Sequence, residues 1–145
     1  MERNILLVED EVDSILDVKY ELEERGFNVI EANTLTDAQK QLSNYSFDVA
    51  LVDLMIPKEV LYEVKIDAPS AQNGFELIEC IRNGQYENKT KRTIPIFVIS
   101  SLGSEAQSIY DECRDRFSPK DLFAKPLTSV YIAEKIRIAL ERPNE

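Results

Sequence analysis

The chain is predicted to fold as an α/β domain on a parallel sheet covered on both faces, and two observations predict it. Short, continuous apolar runs, Ile5-Leu6-Leu7-Val8, Val49-Ala50-Leu51-Val52 and Ile94 to Ile99, have the length and composition of strands buried on both sides. Between them, apolar residues recur at helical spacing, and strands that alternate with helices imply right-handed crossovers in a parallel sheet.

The first strand is read at 4–8. A helix follows from about Val12 to Arg25, with Ile15, Val18 and Leu22 as its core stripe and Gly26 as its left-handed C-terminal residue. The second strand is 28–32. Thr34 or Thr36 can cap a second helix carrying Leu35, Ala38 and Leu42, before the third strand at 49–53. A third helix begins near Gly74 and carries Phe75, Leu77, Ile78 and Ile81, and the fourth strand is 94–100. Ser104 with Gln107 forms a capping box for a helix with Ala106, Ile109, Tyr110, Cys113 and Phe117 at helical spacing. The fifth strand is 122–125. The last helix runs from about Ser129 to Arg142, with Ile132, Ala133, Ile136, Ala139 and Leu140 on one face.

With 145 residues, 43% hydrophobic and 30% charged, the chain fits one globular domain spanning 1–145. No segment resembles a signal peptide, and charged residues interrupt every apolar stretch before it could span a membrane, so a cytoplasmic location is expected. A net charge of -10 argues against direct nucleic-acid binding, which depends on cationic side chains. The absence of histidine excludes a Ser-His-Asp triad, a Cys-His pair and a histidine metal site. Four glycines leave no phosphate-cradling Walker A or GxGxxG loop, so a phosphoryl group would have to arrive from a partner or a small donor rather than from bound ATP. Cys80 and Cys113 lack metal-ligand spacing and read as buried free thiols. Lys89, Lys91 and Arg92 read as a solvated loop.

A polar residue stands where each central strand ends: Glu9 and Asp10, Asp53, Ser100, and Lys125. Ligand sites of parallel sheets gather beyond the strand C-termini, so three carboxylates, a hydroxyl and an ammonium are expected in one crevice. Carboxylates from two strand ends suit a hard cation such as Mg²⁺. Asp53 could act as a nucleophile toward phosphorus once that charge is offset, with the lysine and the hydroxyl facing the phosphoryl oxygens.

The motifs Glu9-Asp10, Asp53-Leu54-Met55-Ile56-Pro57, Gly74-Phe75-Glu76-Leu77, Ser100-Ser101 and Lys125-Pro126, in this order, resemble the receiver domain of two-component response regulators over nearly the whole chain. The resemblance implies a doubly wound, flavodoxin-like five-stranded sheet of order 2-1-3-4-5. It implies Asp53 as phosphoacceptor, Ser100 and Lys125 on the phosphoryl group, and a cis Lys125–Pro126 bond. Mg²⁺ would be held by Asp10, Asp53 and the Met55 carbonyl, with Glu9 acting mainly through water.

Three features depart from such relatives. An insertion at about 58–73 follows the third strand. Val60, Tyr62, Val64 and Ile66 alternate there with Leu61, Glu63, Lys65 and Asp67, and Pro69 with Asn73-Gly74 supplies turn chemistry, so a β-like extension or hairpin arm is expected. Ordered, it could shield the phosphorylated site or present a partner surface. Second, the switch position three residues before the lysine is Leu122 rather than an aromatic residue, and strand alternation turns Phe123 to the other face. Third, Met55 and Leu102 occupy the positions that tune phosphoryl lifetime, and neither can orient an attacking water, so slow self-dephosphorylation is expected.

Together these readings describe a stand-alone, chemotaxis-regulator-like receiver that catalyses only its own modification. Its expected partners are a sensor histidine kinase or phosphotransfer protein, a downstream protein target and, through apolar patches at Leu16, Tyr20, Tyr131 and Ile138, a second copy of the chain. Two alternatives differ in class: a phosphorylation-independent interaction module on the same fold, and an aspartyl phosphatase of the haloacid-dehalogenase type. The latter would require a second acid two residues after Asp53, where this chain has Met55.

Overall fold

The computed structural model describes residues 3–62, 64–65, 67–101 and 106–141. Its strands are β1 (Asn4–Val8), β2 (Asn28–Ala32), β3 (Val49–Asp53), β4 (Val60–Leu61), β5 (Val64–Lys65), β6 (Ile96–Ser100) and β7 (Asp121–Ala124). Its helices are α1 (Leu16–Glu24), α2 (Leu35–Asn44), α3 (Ala71–Arg82), α4 (Ala106–Phe117) and α5 (Ser129–Glu141). Five strands form one parallel sheet of order β2-β1-β3-β6-β7, the arrangement implied by the resemblance.

Alternation along each strand sorts the core into two layers. Leu6, Val8, Ala50, Val52, Ile96 and Val98 point to the face covered by α2, α3 and α4. Ile5, Leu7, Val49, Leu51, Phe97 and Ile99 point to the face covered by α1 and α5. Leu122 belongs to the first layer and Phe123 to the second, where its ring stacks on Phe97 with centroids 5.3 Å apart. The side reversal expected at these two residues is therefore present.

Helix ends follow from local chemistry, with some shifts from expectation. The segment Val12–Ile15 is a 3-10 turn, and α1 proper starts at Leu16 and ends before Gly26, which takes φ +96. Thr34, not Thr36, caps α2 by accepting the Asp37 N–H at 2.9 Å. β6 begins at Ile96 and β7 spans 121–124, each displaced by one or two residues from its expected place. The expected cap Ser104 lies outside the described residues, as do Leu102 and Arg142.

The largest correction concerns α3. It begins at Ala71, capped by Ser70, whose side chain accepts the Gln72 N–H, so Asn73-Gly74 lies inside its first turn and forms no loop. Gly74 is required for contact rather than for a turn: a Cβ there would stand 2.4 Å from the Leu54 carbonyl oxygen and 2.5 Å from its Cα. The insertion contains the expected arm, as a short antiparallel hairpin pairing Val60 with Lys65 and Leu61 with Val64. Tyr62 turns it at φ +53, so the alternating residues form two short strands and not one. Glu63 and Ile66 lie outside the described residues. Among the described residues, no helix is long and apolar enough to cross a membrane.

Candidate functional site

Parallel register brings the strand ends to one edge of the sheet. Val8 pairs with Val52, which sets Glu9 level with Asp53; Asp53 pairs with Ile99, and Ser100 with Ala124, which sets Lys125 one step beyond. The Lys125 N–H donates to the Ser100 carbonyl at 3.0 Å and fixes where the lysine side chain starts. The Lys125–Pro126 bond is cis.

From there the Lys125 ammonium reaches back across the sheet. It donates to Asp53 Oδ2 at 3.1 Å and to Glu9 Oε1. Glu9 is fully buried, Asp53 and Ser100 are nearly so, and Asp10 is partly exposed. Carboxylate oxygens of Glu9, Asp10 and Asp53 lie within 4.8 Å of one another. The sequence-predicted residues Glu9, Asp10, Asp53, Ser100 and Lys125 thus sit along one edge of the sheet, and Met55, two residues after Asp53, donates its N–H to Asp53 Oδ1 at 2.8 Å.

Electrostatics in this crevice are those of too many acids for one base. Burial pushes the Glu9 carboxyl up to about 8; hydrogen bonding and charge repulsion with Asp53 add to this, and the bonds from Lys125 and Ser14 oppose it. Burial pulls the Lys125 ammonium down, but the Glu9 hydrogen bond and the Asp53 charge outweigh it and hold the group above its ordinary value. Glu9 Oε2 is buried with no hydrogen-bond partner. A buried carboxylate oxygen without a donor, beside two further carboxylates, is the environment that a hard divalent cation completes, so the residues fit the expected Mg²⁺.

Two contributors escaped the sequence reading. Ser14 Oγ donates to Glu9 Oε1 at 2.8 Å, orienting the buried acid from the 3-10 turn. Asp67 accepts the Lys58 N–H with both oxygens, at 2.8 and 3.1 Å, and Asn73 Nδ2 donates to Asp67 and to the Ile56 carbonyl, so the neck of the arm is closed beside the loop after Asp53. Ser14 carries no pattern in sequence beyond its place in a helix start. Asn73 was visible, but as turn chemistry.

No family model matches the chain. Among characterised proteins it is 30% identical over 132 residues to the phosphate regulon transcriptional regulatory protein PhoB of Escherichia coli K12, covering 86% of this chain and 50% of that protein. It is 24% identical over 145 residues to the response regulator GtcR of Aneurinibacillus migulanus, covering 100% and 50%. Among solved structures it resembles a CheY-like response regulator receiver domain protein from Methanospirillum hungatei JF-1, with TM-score 0.72, 20% identity and coverage of 99% and 97%. A response regulator structure from Chloroflexus aurantiacus J-10-fl gives TM-score 0.72 at 19% identity, covering 98% and 100%. The chain spans about half the length of the curated relatives it matches.

Proposed function

From the premise that the chain is a receiver domain of the two-component response-regulator family, we propose that it accepts a phosphoryl group on Asp53 and signals through altered protein contacts. The single observation that carries this reading is the Lys125 ammonium shared between Asp53 and Glu9, with Asp10 beside them.

An Asp53 carboxylate oxygen attacks phosphorus in line; the new O–P bond forms as the donor's bond to phosphorus breaks, and the electron pair leaves with the donor, a phosphohistidine nitrogen or an acyl oxygen. Lys125 offsets negative charge gathering on the phosphoryl oxygens, and the Ser100 hydroxyl donates a hydrogen bond to one of them. Asp10, Asp53 and the Met55 carbonyl, with Glu9 behind them, would hold Mg²⁺, which supplies further positive charge to the same oxygens. The Met55 side chain offers no group to align water with the acyl phosphate, which supports slow loss of the phosphoryl group. The donor is a histidine kinase or phosphotransfer protein, the receiver of the signal is a downstream protein, and a cytoplasmic location goes with both.

Incubation with acetyl phosphate and Mg²⁺ tests the reading. The intact mass should rise by one phosphoryl group, the gain should vanish with a chelator, and Asp53→Asn should abolish it. No gain in the wild type would leave the fold serving as a phosphorylation-independent interaction module, and a gain that survives Asp53→Asn would place the phosphoryl group on another residue and overturn Asp53 as acceptor.

A further inference from the structure

A cavity of about 500 Å³ lies at the N-terminal edge of the sheet, the pole opposite Asp53. Ile94 and Pro95, just before β6, and Pro119 and Lys120, just before β7, form part of its lining, together with side chains from the ends of α3 and α4. Among the described residues its lining includes Arg82, Arg92, Arg116 and Lys120 and no acidic residue, in a chain where 27 acids outnumber 17 bases. Such a concentration of one sign against the overall charge creates a local positive field.

Arg82 is the unusual member. Burial lowers its pKa, and among the described residues no carboxylate pairs with it. Its guanidinium donates instead to the carbonyls of Phe117 at 2.7 Å, Arg92 at 2.7 Å, Ile94 at 2.8 Å and Ser118 at 3.3 Å. Four carbonyl oxygens that would repel an anion are thereby turned to a cation, while the positive charge stays uncompensated. Arg116 lies over the Phe117 ring at 4.7 Å and the Phe75 ring at 5.5 Å, a stacking that leaves a guanidinium's in-plane N–H groups to oxygen acceptors. Acids are near but lie outside the lining: Glu79 is 3.8 Å from Arg116, and Glu87 accepts the Arg92 N–H.

We propose that this pocket, lined by Arg82, Arg92 and Arg116, binds a small multivalent phosphate anion at the pole of the sheet opposite Asp53. Planar guanidinium groups match phosphate oxygens, and a multivalent anion supplies the charge that the half-buried Arg82 lacks. The site is independent of phosphoryl transfer to Asp53.

Calorimetric titration with inorganic pyrophosphate, in chelator and at fixed ionic strength, tests it. Saturable binding at one site per chain is expected in the wild type and equally in Asp53→Asn, which separates this pocket from the crevice around Lys125. The exposed pair Arg92→Ala with Arg116→Ala should weaken binding about tenfold or more while leaving the unfolding temperature of the free protein nearly unchanged. Absence of saturable binding in the wild type, undiminished binding in the double variant, or loss of binding in Asp53→Asn would each overturn the proposal.

Discussion

The Lys125 ammonium lies 3.1 Å from Asp53 Oδ2 and takes Glu9 Oε1 as its second acceptor, so one cation serves two buried carboxylates carried by neighbouring strands. Removing one partner of a buried ion pair costs more than the pair itself contributes, because the charge left behind has lost both water and partner. Lys125→Met is therefore expected to lower stability by about 3 kcal/mol in metal-free buffer, read by urea unfolding. Wild-type stability in this variant would show that Lys125 does not offset the cost of burying the two acids.

Gly74 is the point where α3 meets the loop after Asp53. An added Cβ would stand within 2.4–2.8 Å of three Leu54 backbone atoms, which cannot rotate away as a side chain could. Gly74→Ala should cost about 3 kcal/mol by overpacking, with a lower unfolding midpoint at an unchanged denaturant slope. Because Leu54 directly follows Asp53, the proposed acceptor, phosphoryl uptake from acetyl phosphate should fall in the same variant even where it remains folded.

The contrast between these two residues shows what the sequence made legible. Glu9, Asp53, Ser100 and Lys125 were readable because each closes an apolar run, and sheets of this class gather such ends at one edge. The layers were readable because period-two alternation decides them. Gly74 was seen, but as a helix start: Asn73-Gly74 has the composition of a turn, and only the Ser70 cap and the Leu54 contact reveal the helix around it. Tyr62 and Arg82 were illegible for a different reason. A positive φ at an aromatic residue, and a guanidinium held by four carbonyls, are imposed by tertiary closure and leave no periodic trace.

The arm depends on its neck. Asp67 receives the Lys58 N–H on both oxygens and the Asn73 amide on one, while Val60, Leu61, Tyr62 and Val64 stay exposed at the far end. Two paired residues on each side cannot hold a hairpin in water by themselves. Asp67→Ala should raise the rate of chymotryptic cleavage after Leu61 or Tyr62 about tenfold, with a loss of global stability of only about 1 kcal/mol. Equal cleavage rates would place the restraint elsewhere.

The two cysteines should separate chemically. Cys113 is fully buried, and burial pushes its thiol from an ordinary 9.0 up to about 11; Cys80 is also raised by burial but remains partly exposed. At pH 8 a disulfide reagent should modify Cys80 and reach Cys113 only in denaturant. The same shift gives an alkaline dependence whose sign is fixed. Below pH 9 the thiol is protonated in both states, whereas between about 9 and 11 the unfolded chain releases a proton that the folded chain keeps, so stability falls as pH rises. The slope from this group cannot exceed roughly 1.4 kcal/mol per pH unit. Tyr86, which is buried, and Tyr110, which is half-buried, are raised in the same way and add to it at higher pH. Cys113→Val removes the thiol alone, so unfolding at pH 8, 9.5 and 11 should show a shallower decline in the variant than in the wild type, and parallel curves would mean that Cys113 ionises as freely folded as unfolded.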